Sequence, residues 1–222
     1  MMKDSQPTTT NGEHDPHLSG LHAFIAEQRR SPQRPTASRS PSSLDANNLA
    51  LQVAHNLRFQ HNWSDIRVHH RASERPSAHA LPRPLITGLP PQRLYVHPDE
   101  QIEALNKQRN VGKAGWPEMG AEREWVLPTH LRESWTLRRF AEVFDALSTV
   151  PSPENGGALF NEADRMVVDG QEAEGEHGAD GQQTPNPWRT TQPKRLLLAT
   201  LEDDSTIVYY VIHDGIVKPR QN

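Results

Sequence analysis

The chain has 222 residues, of which only 34% are hydrophobic, with 19 prolines and 13 glycines, so much of it cannot build a packed core. A formal net charge of −4 argues against a simple basic nucleic-acid binder. The absence of cysteine excludes a disulfide framework, a thiolate metal site and a cysteine nucleophile.

Residues 1–42 read as a disordered arm that ends in an Arg/Ser/Pro run, with no apolar stretch of the signal-peptide kind at the start. No run approaches the roughly 18 apolar residues of a membrane span, and a soluble intracellular protein is expected. Within the arm, Leu18, Leu21 and Ile25 sit at helical spacing, either a fraying helix or a docking segment. A single domain is expected over 43–222. Ser43 or Asp45 would cap a helix running to about His61, with Leu49, Val53 and Leu57 on its apolar face.

Trp63–His69 alternates as a half-buried strand, and Arg93–His97 is a second strand candidate. The proline-rich Ala80–Pro91 between them reads as a loop or edge connection. Pro98 opens a polar helix over 99–108, and Glu124–Leu127 is a short strand stopped by Pro128. The strongest helix is Trp135–Leu147, with Ser134 as its cap and Leu137, Phe140, Ala141, Phe144 and Leu147 as one stripe. Residues 151–190 read as a disordered insertion; from Glu154 to Asp180 it holds eight acids and one arginine, a local charge of −7.

Two continuous apolar runs follow, Arg195–Leu201 and Thr206–Ile212, separated by Glu202, Asp203, Asp204 and Ser205: a β-hairpin with an acidic turn. The fold class is therefore α+β, a small mixed sheet with flanking helices and a C-terminal hairpin. On the last strand Ile207, Tyr209 and Val211 face one way and Val208, Tyr210 and Ile212 the other, and neither side is polar. Such a strand needs cover on both faces. Either a partner protein supplies the second cover, or the helix near 45–61 does.

Chemistry is sparse. The 12 histidines show no metal spacing; His69 and His70 are adjacent on a strand and point to opposite faces. No HExxH, phosphate-binding loop or nucleophile elbow is present, and Gly175, Gly178 and Gly181 lie in an acidic tract that repels phosphate. No metal or cofactor is expected. Trp188, Arg189, Lys194 and Arg195 form a faint basic patch, the basis for an alternative reading as a small RNA-binding adaptor.

The stretch from Leu198 through Tyr210 (LATLEDDSTIVYY), continuing to Asp214-Gly215 and Pro219, resembles the C-terminal end of the tRNA-splicing endonuclease family, and most of all its small non-catalytic structural subunit. Looser matches are Val126–Thr129 and the entry into the first strand at Trp63. The resemblance implies a heterotetramer of two catalytic and two structural subunits that removes introns from precursor tRNA without a metal. Catalytic members carry a Tyr as base, a His as acid and a Lys that stabilises the developing charge. Only the lysine has a counterpart here, Lys194, as a remnant or an RNA-facing charge. The tyrosines are Tyr95, Tyr209 and Tyr210, none in the required place, and His177 stands apart from the family's surroundings. A stand-alone, homodimeric nuclease-like protein is accordingly the weaker alternative. By the same resemblance the final strand, Ile207, Val208, Tyr209, Tyr210, Val211 and Ile212, pairs with the same strand of a neighbouring subunit. The acidic loop Glu202, Asp203 and Asp204 enters a basic socket on the opposite pair. The expected location is the nucleus, with the cytoplasmic face of mitochondria as the alternative.

Overall fold

A computed structural model describes residues 19–30, 41–72, 80–112, 114–117, 119–153, 155–160 and 186–217. Among them the order is α1 (Gly20–Arg30), α2 (Pro41–Phe59), β1 (Ser64–Arg71), β2 (Ala80–Leu89), α3 (Pro98–Asn110), β3 (Glu124–His130), α4 (Leu137–Ala146), β4 (Gly157–Ala158), α5 (Pro187–Thr191), β5 (Arg195–Leu201) and β6 (Ile207–His213). The strands form one mixed sheet in the order β4-β1-β2-β3-β5-β6, an α+β architecture. Only the β3–β5 pair is parallel; the other pairs are antiparallel.

Two helical layers sandwich the sheet. Ala50, Val53, Ala54 and Leu57 of α2 pack on one face against Ile66, Ile86, Val126 and Leu197. Val143 and Phe144 of α4, with Leu147, cover the other face against Leu85, Trp125, Leu127 and Leu196. Both faces of β3 and β5 are thus buried, which is why their central stretches, Trp125–Pro128 and Leu196–Ala199, are apolar without alternation. α4 is capped by Thr136, whose hydroxyl accepts from the Arg139 amide at 3.3 Å, and not by Ser134. α2 begins at Pro41, so the helix starts ahead of Ser43 and Asp45, the positions expected to open it.

Three strand expectations are corrected. Ala80–Leu89 is no loop: it is β2, in the middle of the sheet. Its prolines, Pro82 and Pro84, sit where ladder bonds are not required. β3 pairs only with Ile86, Thr87 and Gly88, and the β1 register is irregular between His69 and Arg71. Continuing the β2–β3 register by two positions sets Pro84 opposite Pro128. Pro128 therefore costs the β2 side nothing, and β3 runs on to His130 against its parallel partner β5. Arg93–His97 joins no strand; the Tyr95 ring lies 4.8 Å from that of His213, while Leu94 is exposed.

The arm and the insertion are partly built into the domain. α1 lies in the stretch read as disordered, yet Ile25 is buried and the Phe24 ring stacks on Phe160 at 4.9 Å. Residues 157–158 of the insertion add β4 to the sheet edge, and Leu159 enters the core. The remaining expectations for residues 1–18, 31–40, 161–185 and 218–222 lie outside the described residues. No helix among the described residues is long and apolar enough to cross a membrane.

Candidate subunit interface

β5 and β6 pair without irregularity from Arg195↔His213 to Leu201↔Ile207. The hairpin turn closes through Glu202 N–H to Thr206 O at 2.8 Å and Ser205 N–H to Glu202 O at 3.1 Å, with Ser205 at φ +71°. Asp204 accepts the Thr206 amide at 2.9 Å, and that backbone bond holds its carboxyl below the ordinary range. Asp203 accepts from Arg132 Nε at 3.0 Å and Nη2 at 2.5 Å, with His130 Nε2 3.7 Å away. The turn is thus a shaped acidic projection, one of whose carboxylates already holds an arginine.

β6 lies at the end of the sheet, with a strand on one side only among the described residues. The inner part of its two faces is covered from within. Ile207 and Tyr209 pack on the α2 layer, and the Tyr209 hydroxyl donates to Asn56 Oδ1 at 2.6 Å; burial pushes that phenol up. Ile212 packs on the α4 layer. The helix over 41–59 therefore supplies the second cover, the alternative that strand pattern left open. What stays uncovered is narrower than the whole strand: Tyr210 is 56% exposed and Val211 39%. Val208 is half-buried.

Lys194 sits one residue before β5, and its ammonium donates to the Phe144 carbonyl in the last turn of α4 at 2.8 Å. The patch suggested by Trp188, Arg189, Lys194 and Arg195 is not a surface. Arg189 and Arg195 are buried, and Trp188 donates to Glu103 at 3.1 Å while its ring stacks on His97 at 5.5 Å.

The two arginines belong to a buried ionic network that sequence inspection does not reveal. Glu124 opens β3 and Arg195 opens β5, and the parallel register sets them side by side. Glu124 accepts from Arg195 and, at 2.9 Å, from Arg189; Glu122 accepts from Arg195 at 2.8 Å. Arg93 bridges Glu100 at 2.5 Å and Glu122 at 3.1 Å, and Asn186 donates to both of those carboxylates. Burial lowers Arg189, with Glu124 only partly compensating. Burial also works against Arg195, but hydrogen bonds and charge from Glu124 and Glu122 outweigh it and raise that guanidinium. Three arginines and three glutamates from distant positions thereby fix residues 186–195, where the chain re-enters the domain.

The sequence matches the Sen15 protein family over residues 52–167 and 181–222. The chain belongs to the Sen15 family. Over 174 residues it is 42% identical to a Neurospora crassa protein named a probable tRNA-splicing endonuclease subunit, tsp-1, covering 78% of this chain and 66% of that one. Over 170 residues it is 25% identical to the Schizosaccharomyces pombe probable tRNA-splicing endonuclease subunit sen15, covering 77% of this chain and 80% of that one.

Proposed function

We propose that this chain is the structural, non-catalytic subunit of a nuclear tRNA-splicing endonuclease, joining catalytic and structural subunits in a heterotetramer that removes introns from precursor tRNA. The observation that carries this reading is a Sen15-family chain whose terminal strand offers an open, apolar edge beside an acidic turn. An edge strand displays unpaired N–H and C=O groups, which a neighbour's strand satisfies with register as well as affinity. The turn projects carboxylates whose mutual repulsion a cationic socket relieves. The non-catalytic role is supported by the tyrosines and the lysine: Tyr209 is bonded to Asn56, and Lys194 is engaged with the end of α4. A general acid–base pair needs groups converging on one reacting phosphate, and these side chains serve two different helices.

The test is co-expression of the tagged full-length chain with the remaining endonuclease subunits of its organism. Stoichiometric co-purification, with precursor-tRNA cleavage present only when the catalytic subunits are included, is the expected result. Cleavage by the purified chain alone overturns the non-catalytic reading.

A further inference from the structure

The apolar stripe of α4 outruns the core it serves. Phe140, Val143, Phe144 and Leu147 pack inward, but Leu137, first residue of the helix and first of the stripe, is 89% exposed. Leu131, in the connection leading to α4, is 58% exposed. Between them the Trp135 ring carries the Arg139 guanidinium at 4.3 Å and that of Arg83 at 5.4 Å, with Phe140 against it at 4.7 Å. Glu133 binds Arg83 through both terminal nitrogens, at 2.6 and 3.1 Å. Two donors in this stack, Arg83 Nε and Trp135 Nε1, are buried with no hydrogen-bond partner among the described residues, and Arg83 is nine-tenths buried.

From this we infer that residues 131–139 are a second docking surface, for a partner-protein segment carrying an apolar side chain beside a carboxylate. The inference rests on the proposed role as an endonuclease subunit and names a contact within that assembly. Charge sets the chemistry of the occupant: Arg132, Arg138 and Arg139 present donors, while Asp203, Glu142 and Glu133 are already engaged by arginines. The exposed pairs Arg132–Asp203 and Arg138–Glu142 are of the weakly held surface kind, so their arginines exchange readily to an incoming carboxylate. The patch is continuous with the acidic turn, because Arg132 is bonded to Asp203. Tryptophan and arginine brought together this way have the composition of an interface centre, with the exposed leucines adding apolar area beside them. An RNA strand is disfavoured, since it stacks on open aromatic faces, and those of Trp135 are taken by Arg83, Arg139 and Phe140.

The experiment uses the full chain co-expressed with its endonuclease subunits, comparing wild type with the double variant Leu137→Asp, Arg138→Glu. Leu137 and the Arg138 side chain are each 89% exposed, and thermal melts of the isolated variant should match wild type. At least a tenfold drop in recovered partner subunits at moderate salt, with no effect on a gel shift of the isolated chain against precursor tRNA, is expected. Undiminished recovery overturns the inference while leaving the subunit role intact. Normal recovery together with weakened precursor-tRNA binding overturns it in favour of an RNA surface. If wild type itself recovers no endonuclease subunit, the proposed function falls, and the inference with it.

Discussion

Lys194 and Phe144 are joined where α4 meets the head of β5: the ammonium donates 2.8 Å to the Phe144 carbonyl, which also accepts the amide of the cap residue Leu147 at 3.2 Å. A cation at a helix C-terminus also meets the negative end of the helix dipole. The lysine thus has a structural task that explains its presence without chemistry. Lys194→Met is expected to lower stability by about 1 kcal/mol, the scale of one charge-assisted bond in a half-exposed site. Single-turnover cleavage by the assembled endonuclease should stay within about twofold of wild type. A hundredfold loss in an intact complex would place Lys194 in the reaction.

Two histidines tie stability to pH. Burial holds His55 below its ordinary value, and burial, then the charges of Arg195 and Arg189, does the same for His213. A depressed histidine is neutral in the fold when the unfolded chain has already taken up its proton. The unfolded state therefore binds more protons below about pH 6.5, and stability must fall as pH drops through that value toward the folded pKa. The urea midpoint should decline from pH 7.5 to 5.5. His213→Gln should flatten that slope, and an unchanged slope in the variant would remove His213 from the account.

How much of this is legible in the sequence follows the physics of each element. The hairpin is plain, because two apolar runs around an acidic turn have few other solutions, and the α2 face shows in Leu49, Val53 and Leu57. β2 is hidden because prolines argue against a central strand. They are tolerated only through a register that cannot be known before the β2–β3 pairing is seen. The same blindness ends β3 at Pro128. The ionic network is illegible for another reason. Arg93 with Glu100, Glu122 with Glu124, and Arg189 with Arg195 fall in three separate stretches of the chain, and scattered charges read as solvated surface until the parallel β3–β5 pair joins them. A glutamate at the head of a strand, as Glu124 is, looks like the strand's wet end; here it is buried.

Breaking that network from one side should be costly. Arg195→Met removes one cation from between Glu122 and Glu124, leaving buried carboxylates with less compensation. The expected cost is about 3–5 kcal/mol, the range for breaking a buried pair from one side. Arg138→Met, at an exposed pair, should cost well under about 1 kcal/mol. Equal costs by chemical denaturation would show that the network is not held as described.

Gly156 places a second constraint at the other edge of the sheet. Its φ is +90°, and an added Cβ would meet the His69 imidazole at 2.6 Å, a ring already fixed by Thr87 at 2.9 Å and by Trp125. Gly156→Ala is expected to cost about 2–3 kcal/mol, combining backbone strain with displacement of a buried ring. Gly112→Ala is the control, since φ is +72° there with open space around it, and about 1 kcal/mol is expected. A difference below experimental error between the two would mean that His69 yields freely.

The terminal strand and its turn should separate experimentally. Tyr210 is more than half exposed, so Tyr210→Asp leaves the isolated fold intact, whereas Val208→Asp would also disturb packing within the chain. If β6 pairs with a neighbour's edge strand, Tyr210→Asp buries a charge without a partner, and binding to the adjacent subunit should be lost. The turn calls for a different variant. Asp203 is engaged by Arg132, and Asp204 caps the Thr206 amide, a bond its neutral isostere can also accept. Glu202→Gln, Asp203→Asn and Asp204→Asn together therefore remove charge while sparing the backbone of the turn. The adjacent pair should persist and the larger assembly should weaken. Because the lost attraction is between charges, the difference from wild type should be greatest at low salt and shrink as screening rises. Mass photometry across a salt series reads both steps at once. A neutralised turn that still gives the full assembly at every salt concentration would leave those carboxylates as solvent-exposed groups with no socket to fill.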